Sequence, residues 1–239
     1  MTEHARTQRR QVRADFSSAL IGIHRWLAVL LLAGLAAHAA AQSVEHHQHP
    51  FSGADRWAEL FDDPSRDDWQ KPDEVLRALA LAPDARVADI GAGTGYFAVR
   101  LARALPQGHV YGVDAELDMV RYLGERANRE NLGNVTPVLA KPDDPGIPVA
   151  VDVVILVDTY HHIPDRERYF RALQKSFKTG GRLAIIDFTL ESPVGPPPHS
   201  RIPASRVEQE LGRAGYRLLE AHKFLPNQYF LVFRPNAYR

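Results

Sequence analysis

The chain has 239 residues, 45% of them hydrophobic and 24% charged, with 29 Lys and Arg balanced by 29 Asp and Glu. That length and mixture predict one globular domain with an additional leader, and a formal net charge of zero lacks the basic excess of a nucleic-acid binder. There is no cysteine, which excludes disulfides, thiolate metal sites and a cysteine nucleophile while leaving the compartment open.

Residues 1–41 read as a secretory signal peptide. Arg6, Arg9, Arg10, Arg13 and Arg25 precede an uncharged apolar run from Leu27 to Ala37, and Ala39, Ala40 and Ala41 supply the small residues of a cleavage site. The run falls short of the roughly 20 residues that span a bilayer. Cleavage after Ala41 is therefore expected, giving an exported, periplasmic or secreted product with no stable membrane span. The alternatives are an uncleaved anchor, or a cytoplasmic protein whose start lies downstream of Met1. Residues 42–71 form a polar linker and amino-terminal extension. His46, His47 and His49 have no carboxylate partner nearby in sequence and read as solvated linker, and no metal site is expected. Trp57, Phe61, Asp62, Asp63, Asp67, Asp68 and Trp69 read one by one as surface packing of the extension.

The domain proper is expected over residues 72–239. Pro72 opens a helix with Asp73 and Glu74 in its first turn and Val75, Leu76 and Leu79 on one face. Arg86 to Ile90 is a short buried strand, followed by Gly91, Gly93 and Gly95 at alternate positions. A helix then begins at Tyr96, with Phe97, Leu101 and Leu105 toward the sheet. Such a loop lets backbone approach a ligand, and the first amides of the helix await an acceptor. A dinucleotide loop would need glycine where Tyr96 stands, and no Gly-Lys-Ser or Gly-Lys-Thr follows as in a phosphate-binding P-loop.

His109 to Val113 is the second strand and ends in Asp114, nineteen residues after Gly95. One helix and one strand fit that interval, so the carboxylate should arrive beside the glycine loop, where it can accept from both ribose hydroxyls. A helix over Leu117 to Arg129 and a strand over Val135 to Leu139 follow. Val151 to Val157 has the branched, apolar character of a central parallel strand, and it runs into Asp158-Thr159-Tyr160-His161-His162. Polar residues at the carboxyl edge of such a strand are hard to explain as packing, and Asp158 with the two histidines reads as functional.

A helix over Arg166 to Phe177 should be capped by Gly180 and Gly181 before a fifth strand, Arg182 to Phe188. The prolines between Glu191 and Arg201 forbid helix or central strand and make either a stiff lid or a plain connection. Ser205 and Glu208 suggest a capping box for a helix carrying Val207, Leu211 and Ala214. Tyr216 to Phe224 and Gln228 to Arg234 read as two strands joined at Pro226-Asn227.

The run Asp89-x-Gly91-x-Gly93-x-Gly95 resembles the first motif of the class I S-adenosylmethionine-dependent methyltransferases, and the likeness extends from about Pro72 to Arg234. It implies an α/β fold: a Rossmann-like, doubly wound, seven-stranded and mostly parallel sheet with a C-terminal antiparallel hairpin. It also implies S-adenosylmethionine as cofactor, wrapped by Asp89, Gly91, Gly93 and Gly95. Asp114 would lie on the ribose, and Asp143 after the third strand on the adenine amino group, with Asp144 as its substitute. In this family the segment holding Asp67, Asp68 and Trp69 often closes over the cofactor. The end of the fourth strand lies over the transferable methyl, which makes His161, His162, Asp158 and Tyr160 the candidate catalytic residues. The implied reaction is methyl transfer to an unidentified, small-molecule acceptor. The competing readings are a non-catalytic S-adenosylmethionine-binding protein and an aminopropyl transferase of the polyamine-synthase kind. The latter carries paired acids where this chain has paired histidines. Arsenite methylation through a cysteine relay is disfavoured by the absent thiols.

Overall fold

The computed structural model of the protein describes residues 53–141 and 143–236. The expected signal peptide, its Ala41 cleavage point and the His46–His49 tract lie outside the described residues. Among those described, no helix is long and apolar enough to cross a membrane.

Three helices precede the sheet: α1 (Ala54–Phe61), α2 (Arg66–Gln70) and α3 (Pro72–Leu79). The chain then alternates through β1 (Arg86–Ile90), α4 (Tyr96–Ala104), β2 (His109–Asp114), α5 (Leu117–Arg129), β3 (Val135–Leu139), β4 (Val151–Val157), α6 (Arg166–Leu173), β5 (Phe177–Phe188), α7 (Ala204–Arg213), β6 (Tyr216–His222) and β7 (Gln228–Pro235). The strands form one seven-stranded sheet in the order β3-β2-β1-β4-β5-β7-β6. Strands β1 to β5 pair in parallel, β7 runs antiparallel to β5, and β6 closes the edge as its hairpin partner. The strand order reverses between β1 and β4, and loops leaving these two carboxyl ends diverge to opposite sides of a crevice.

Side chains alternate across each strand, so the sheet supports two cores. Val87, Val153, Ile155, Ala184 and Ile186 face Val75 and Leu79 of α3 and Phe97 and Leu101 of α4. Ala88, Ile90, Val154, Leu156, Leu183 and Ile185 face Phe170 and Leu173 of α6 and Val207 and Leu211 of α7. This is the doubly wound, mostly parallel architecture with a terminal antiparallel pair that the sequence predicts.

Three local expectations are corrected. The helix after β4 ends at Leu173, a 3₁₀ turn covers Gln174–Ser176, and Phe177 already belongs to β5, paired with Val151. Gly180 and Gly181 therefore lie inside β5 rather than capping a helix; the β4–β5 register shifts there, and Gly180 takes φ 81. The capping box at Ser205 does not form either. Helix α7 starts two residues earlier, with Pro203 at the N-cap position, whose side chain offers no acceptor. Finally, β6 stops at His222 rather than Phe224, while the bend into the hairpin falls at Pro226 and Asn227 as expected.

Between α6 and α7 lies a buried polar knot. Glu210 accepts from Arg166 Nε at 2.6 Å, Arg206 Nε at 2.8 Å and the Tyr160 hydroxyl at 2.8 Å. Burial alone would raise this carboxyl, but the bonds from Arg166, Arg206 and Tyr160 bring it down to about 2. A depressed carboxyl stabilises the fold fully above its unfolded value and loses that contribution as pH falls through its folded one. Glu210→Gln should cost about 3 kcal/mol at pH 7, because Arg166 and Tyr160 lose their charged partner. On melting this is a fall of roughly 6 to 12 °C. The gap to the native chain should stay constant above pH ~5 and shrink toward pH ~2, as thermal melts across that range will show.

Candidate active site

The glycine loop leaves β1 at the centre of the sheet. Gly91 and Ala92 donate to the Val113 carbonyl at 2.8 and 3.0 Å, which ties the loop to the end of β2. Gly91, Gly93 and Gly95 have φ of 76°, 54° and 95°, a region that side chains with a Cβ rarely occupy. At Gly91 a Cβ would collide with the Thr159 side chain, so the loop lies directly against the chain leaving β4. The sequence explains the turn here: three left-handed residues in five positions reverse the chain into α4 within one crevice-sized loop.

Asp114 lands where its spacing predicts. Its Oδ2 accepts from the Gly93 amide at 2.8 Å and its Oδ1 from the Glu116 amide at 2.9 Å. Burial raises this carboxyl, against the pull of these backbone N–H groups. Asp89 is only 3% exposed, on the face of β1 that meets α4, and its backbone partner is Ala98 in the first turn of that helix. Burial and the nearby Asp114 charge push it up to about 7. Asp89 thus holds the helix start, and Asp114 holds the loop while presenting a carboxylate at the strand edge.

On the β4 side the candidates divide. Asp158 sits in the left-handed region, φ 55, a strained conformation for a residue with a Cβ and one that recurs at functional sites. Its Oδ2 accepts from Gln70 Nε2 at 2.9 Å, its Oδ1 from Gln228 Nε2, and the Arg66 guanidinium stands 3.6 Å away. Burial and the Asp187 charge raise it to about 7, against Arg66 and Gln70. His161 is a different case: its side chain is 5% exposed, and Nδ1 lies 2.9 Å from both oxygens of Asp187, itself 1% exposed in β5. The Asp187 carboxylate also accepts the His161 and Phe188 amides, so it is fixed from three directions. The His162 ring lies against that of His161, centroids 4.1 Å apart, on the exposed side.

Two candidates fall outside this group. Tyr160 is fully buried, stacks on Phe170 and donates its hydroxyl to Glu210, so it belongs to the knot beneath the site. Asp143 is largely exposed and ion-paired with Arg168, and Asp144 pairs with Lys175.

The extension contributes more than its sequence promises. Phe61 lies 3.5 Å from where a Cβ on Gly93 would stand. Asp62 accepts from Thr94 Oγ1 at 3.1 Å and Arg126 at 2.8 Å, and Asp67 from Tyr96 and Arg100. Trp69 meets Phe188 with ring centroids 5.9 Å apart. Arg66, Gln70, Asp187 and Gln228 were therefore missed by sequence reasoning. Asp187 had a signal, an acid ending an apolar strand just as Asp114 and Asp158 do; the other three belong to no motif.

A family model described as a methyltransferase domain matches residues 81–213, more than half of the chain. The chain belongs to the class I S-adenosylmethionine-dependent methyltransferases. Among solved structures, a SAM-dependent methyltransferase from Aquifex aeolicus superimposes with a TM-score of 0.70 at 28% identity, covering 75% of this chain and 97% of that one. Among curated relatives, trans-aconitate 2-methyltransferase of Rhodopseudomonas palustris is 32% identical over 112 residues, 47% of this chain and 42% of that protein. Arsenite methyltransferase of Halobacterium salinarum is 32% identical over 118 residues, 48% of this chain and 30% of the other. The chain spans less than half the length of these curated relatives. The family's cofactor is S-adenosylmethionine, and the residues present fit it: a loop whose glycines leave no room for side chains at Gly91, and an edge carboxylate at Asp114.

Proposed function

We propose that this protein transfers the methyl group of S-adenosylmethionine to a small molecule whose reacting atom carries a proton. The observation that carries this reading is the buried Asp187 carboxylate holding His161, two residues beyond the Thr159 that packs on the glycine loop. Gly91, Gly93 and Gly95 let the backbone approach the cofactor, and Asp114 binds its ribose. When bound there, S-adenosylmethionine supplies an electrophilic methyl on a cationic sulfur. Asp187 holds His161 with Nδ1 as donor, so Nε2 is the nitrogen that accepts the acceptor's proton. Asp187 then stabilises the imidazolium that forms. The rest is placement, since in-line displacement needs nucleophile and methyl carbon about 3 to 3.5 Å apart.

The acceptor is read as small, in keeping with the small-molecule activities named for the relatives, and with a balanced net charge that gives nucleic acid no general attraction. A thiol relay is closed to this chain, which has no cysteine. Export to the periplasm, with a mature chain starting near Gln42, is supported by the basic and apolar leader ending in Ala39 to Ala41; the mass of the natively produced amino terminus tests it. For the function itself, methyl-labelled S-adenosylmethionine is incubated with the protein and a cell-envelope extract. Label in a low-mass product is expected. Cofactor binding with no transferred label would leave a binding protein, and transfer of the aminopropyl group would leave a synthase.

A further inference from the structure

The connection from β5 to α7 holds a charge that the reaction just described does not use. Arg201 is only 9% exposed, and among the described residues no carboxylate pairs with it. Its guanidinium is surrounded instead by main chain. Nε donates to the Pro196 carbonyl at 2.8 Å, Nη1 to those of Thr189, Leu190 and Ser192 at 3.3, 2.9 and 2.7 Å, and Nη2 to that of Val194 at 3.1 Å. A buried cation is costly unless hydrogen bonds satisfy it, and the carbonyls of an irregular segment are costly to bury without donors. Each need here meets the other, so residues 189–201 fold as a strap around one side chain. Pro193, Pro196, Pro197 and Pro198 remove backbone freedom along the same stretch, and the 3₁₀ turn Pro198–Ser200 brings the chain back to Arg201.

The strap lies beside the base. Its first residue, Thr189, follows Asp187 and Phe188 at the end of β5 and donates its amide to the Asn227 carbonyl at 3.1 Å, which ties the strap to the β6–β7 hairpin. Gly195 takes φ 92, and a Cβ there would stand 2.6 Å from the Phe188 ring, so the strap is folded back onto that ring. Trp69 of α2 reaches the same ring. The strap and Trp69 therefore meet on the residue next to Asp187, which holds His161. They do so on the β5 side of the site, with β4 between them and the glycine loop that leaves β1.

We propose that Arg201 is a positioning residue for the methyl acceptor: by holding the strap on Phe188 it fixes the wall against which the acceptor is placed for His161. It touches no reacting atom. A lysine would not replace it, since an ammonium has three N–H donors and no planar fork, while five carbonyls converge here. Loss of the guanidinium leaves those carbonyls to water, which they reach when the strap lifts from Phe188 while the sheet and the glycine loop stay folded. The inference rests on the methyl-transfer reading above and adds to it a residue that sets how the acceptor fits.

Two variants test it: Arg201→Lys removes the template, whereas Gly195→Ala keeps Arg201 and forces the strap off Phe188. With methyl-labelled S-adenosylmethionine and a dilution series of the cell-envelope extract, each should raise the half-saturating extract concentration by about ten- to a hundredfold and leave the plateau rate within about threefold. S-adenosylhomocysteine affinity, read by calorimetry, should stay within about twofold. Deuterium exchange of the amides in residues 189–200 should quicken in Arg201→Lys while that of β1, β4 and β5 does not. Unchanged half-saturation in a variant whose strap exchanges faster would overturn the proposal, because the strap would then not meet the acceptor. Unchanged exchange of the strap in Arg201→Lys would overturn it as well, by removing the template. Parallel losses of plateau rate, S-adenosylhomocysteine affinity and melting temperature would mean general loosening, and would overturn it too. Binding of S-adenosylhomocysteine by the native chain without any transfer of label would instead overturn the methyl-transfer reading, and this proposal with it.

Discussion

Replacing His161 with Asn is expected to slow single-turnover methyl transfer by about a hundred- to ten-thousandfold while leaving S-adenosylhomocysteine affinity within about twofold. The separation follows from what His161 touches. Its Nδ1 is held by Asp187, and its ring lies against His162, so its contribution arises when a proton moves rather than when the cofactor binds. Asp187→Asn should slow transfer as well. An amide that donates to Nδ1 selects the tautomer whose Nε2 carries hydrogen, which cannot accept the acceptor's proton. His162 lies on the exposed side of the same turn, and His162→Asn should retain most of the rate. Full turnover in the His161 variant would remove the base and leave positioning alone to account for the reaction.

Asp114→Ala is expected to reduce S-adenosylhomocysteine affinity by about a hundredfold or more. A charge-assisted hydrogen bond is worth roughly 1.5 to 3 kcal/mol, or about ten- to a hundredfold in affinity, and the carboxylate has two ribose hydroxyls to meet. The structure adds a second cause. Asp114 Oδ2 also accepts from the Gly93 amide, so its removal frees the glycine loop at Gly93. Asp114→Asn keeps an acceptor for that amide but loses the charge, and should fall between the two. Comparable affinities for native, Asn and Ala chains would place the ribose elsewhere.

Much of this was legible in the sequence because backbone requirements leave residue-level marks. Gly91, Gly93 and Gly95 all occupy positive φ, and a nineteen-residue interval to Asp114 admits one helix and one strand and little else. The branched, apolar run from Val151 to Val157 marked a central parallel strand, and β4 does pair in parallel with β1 on one side and β5 on the other. Capping was less legible: Ser205 fits a capping box as well as any serine, but Pro203 already fixes the helix start, and a Gly180-Gly181 pair reads the same in a bulge as at a helix end. Tyr160 shows the same limit within the site. Next to His161 in sequence, it points the other way into the knot around Glu210, which only the packing of α6 against α7 reveals. Arg66, Gln70 and Gln228 were beyond reach, since they meet Asp158 across 92, 88 and 70 positions and match no local pattern.

The most direct measurement is calorimetric titration of the native chain with S-adenosylhomocysteine, set beside the Asp114→Ala chain under the same conditions. The account predicts binding at one site per chain for the native protein and a loss of about a hundredfold or more for the variant. No heat of binding to the folded native chain, or equal binding by both, would contradict it.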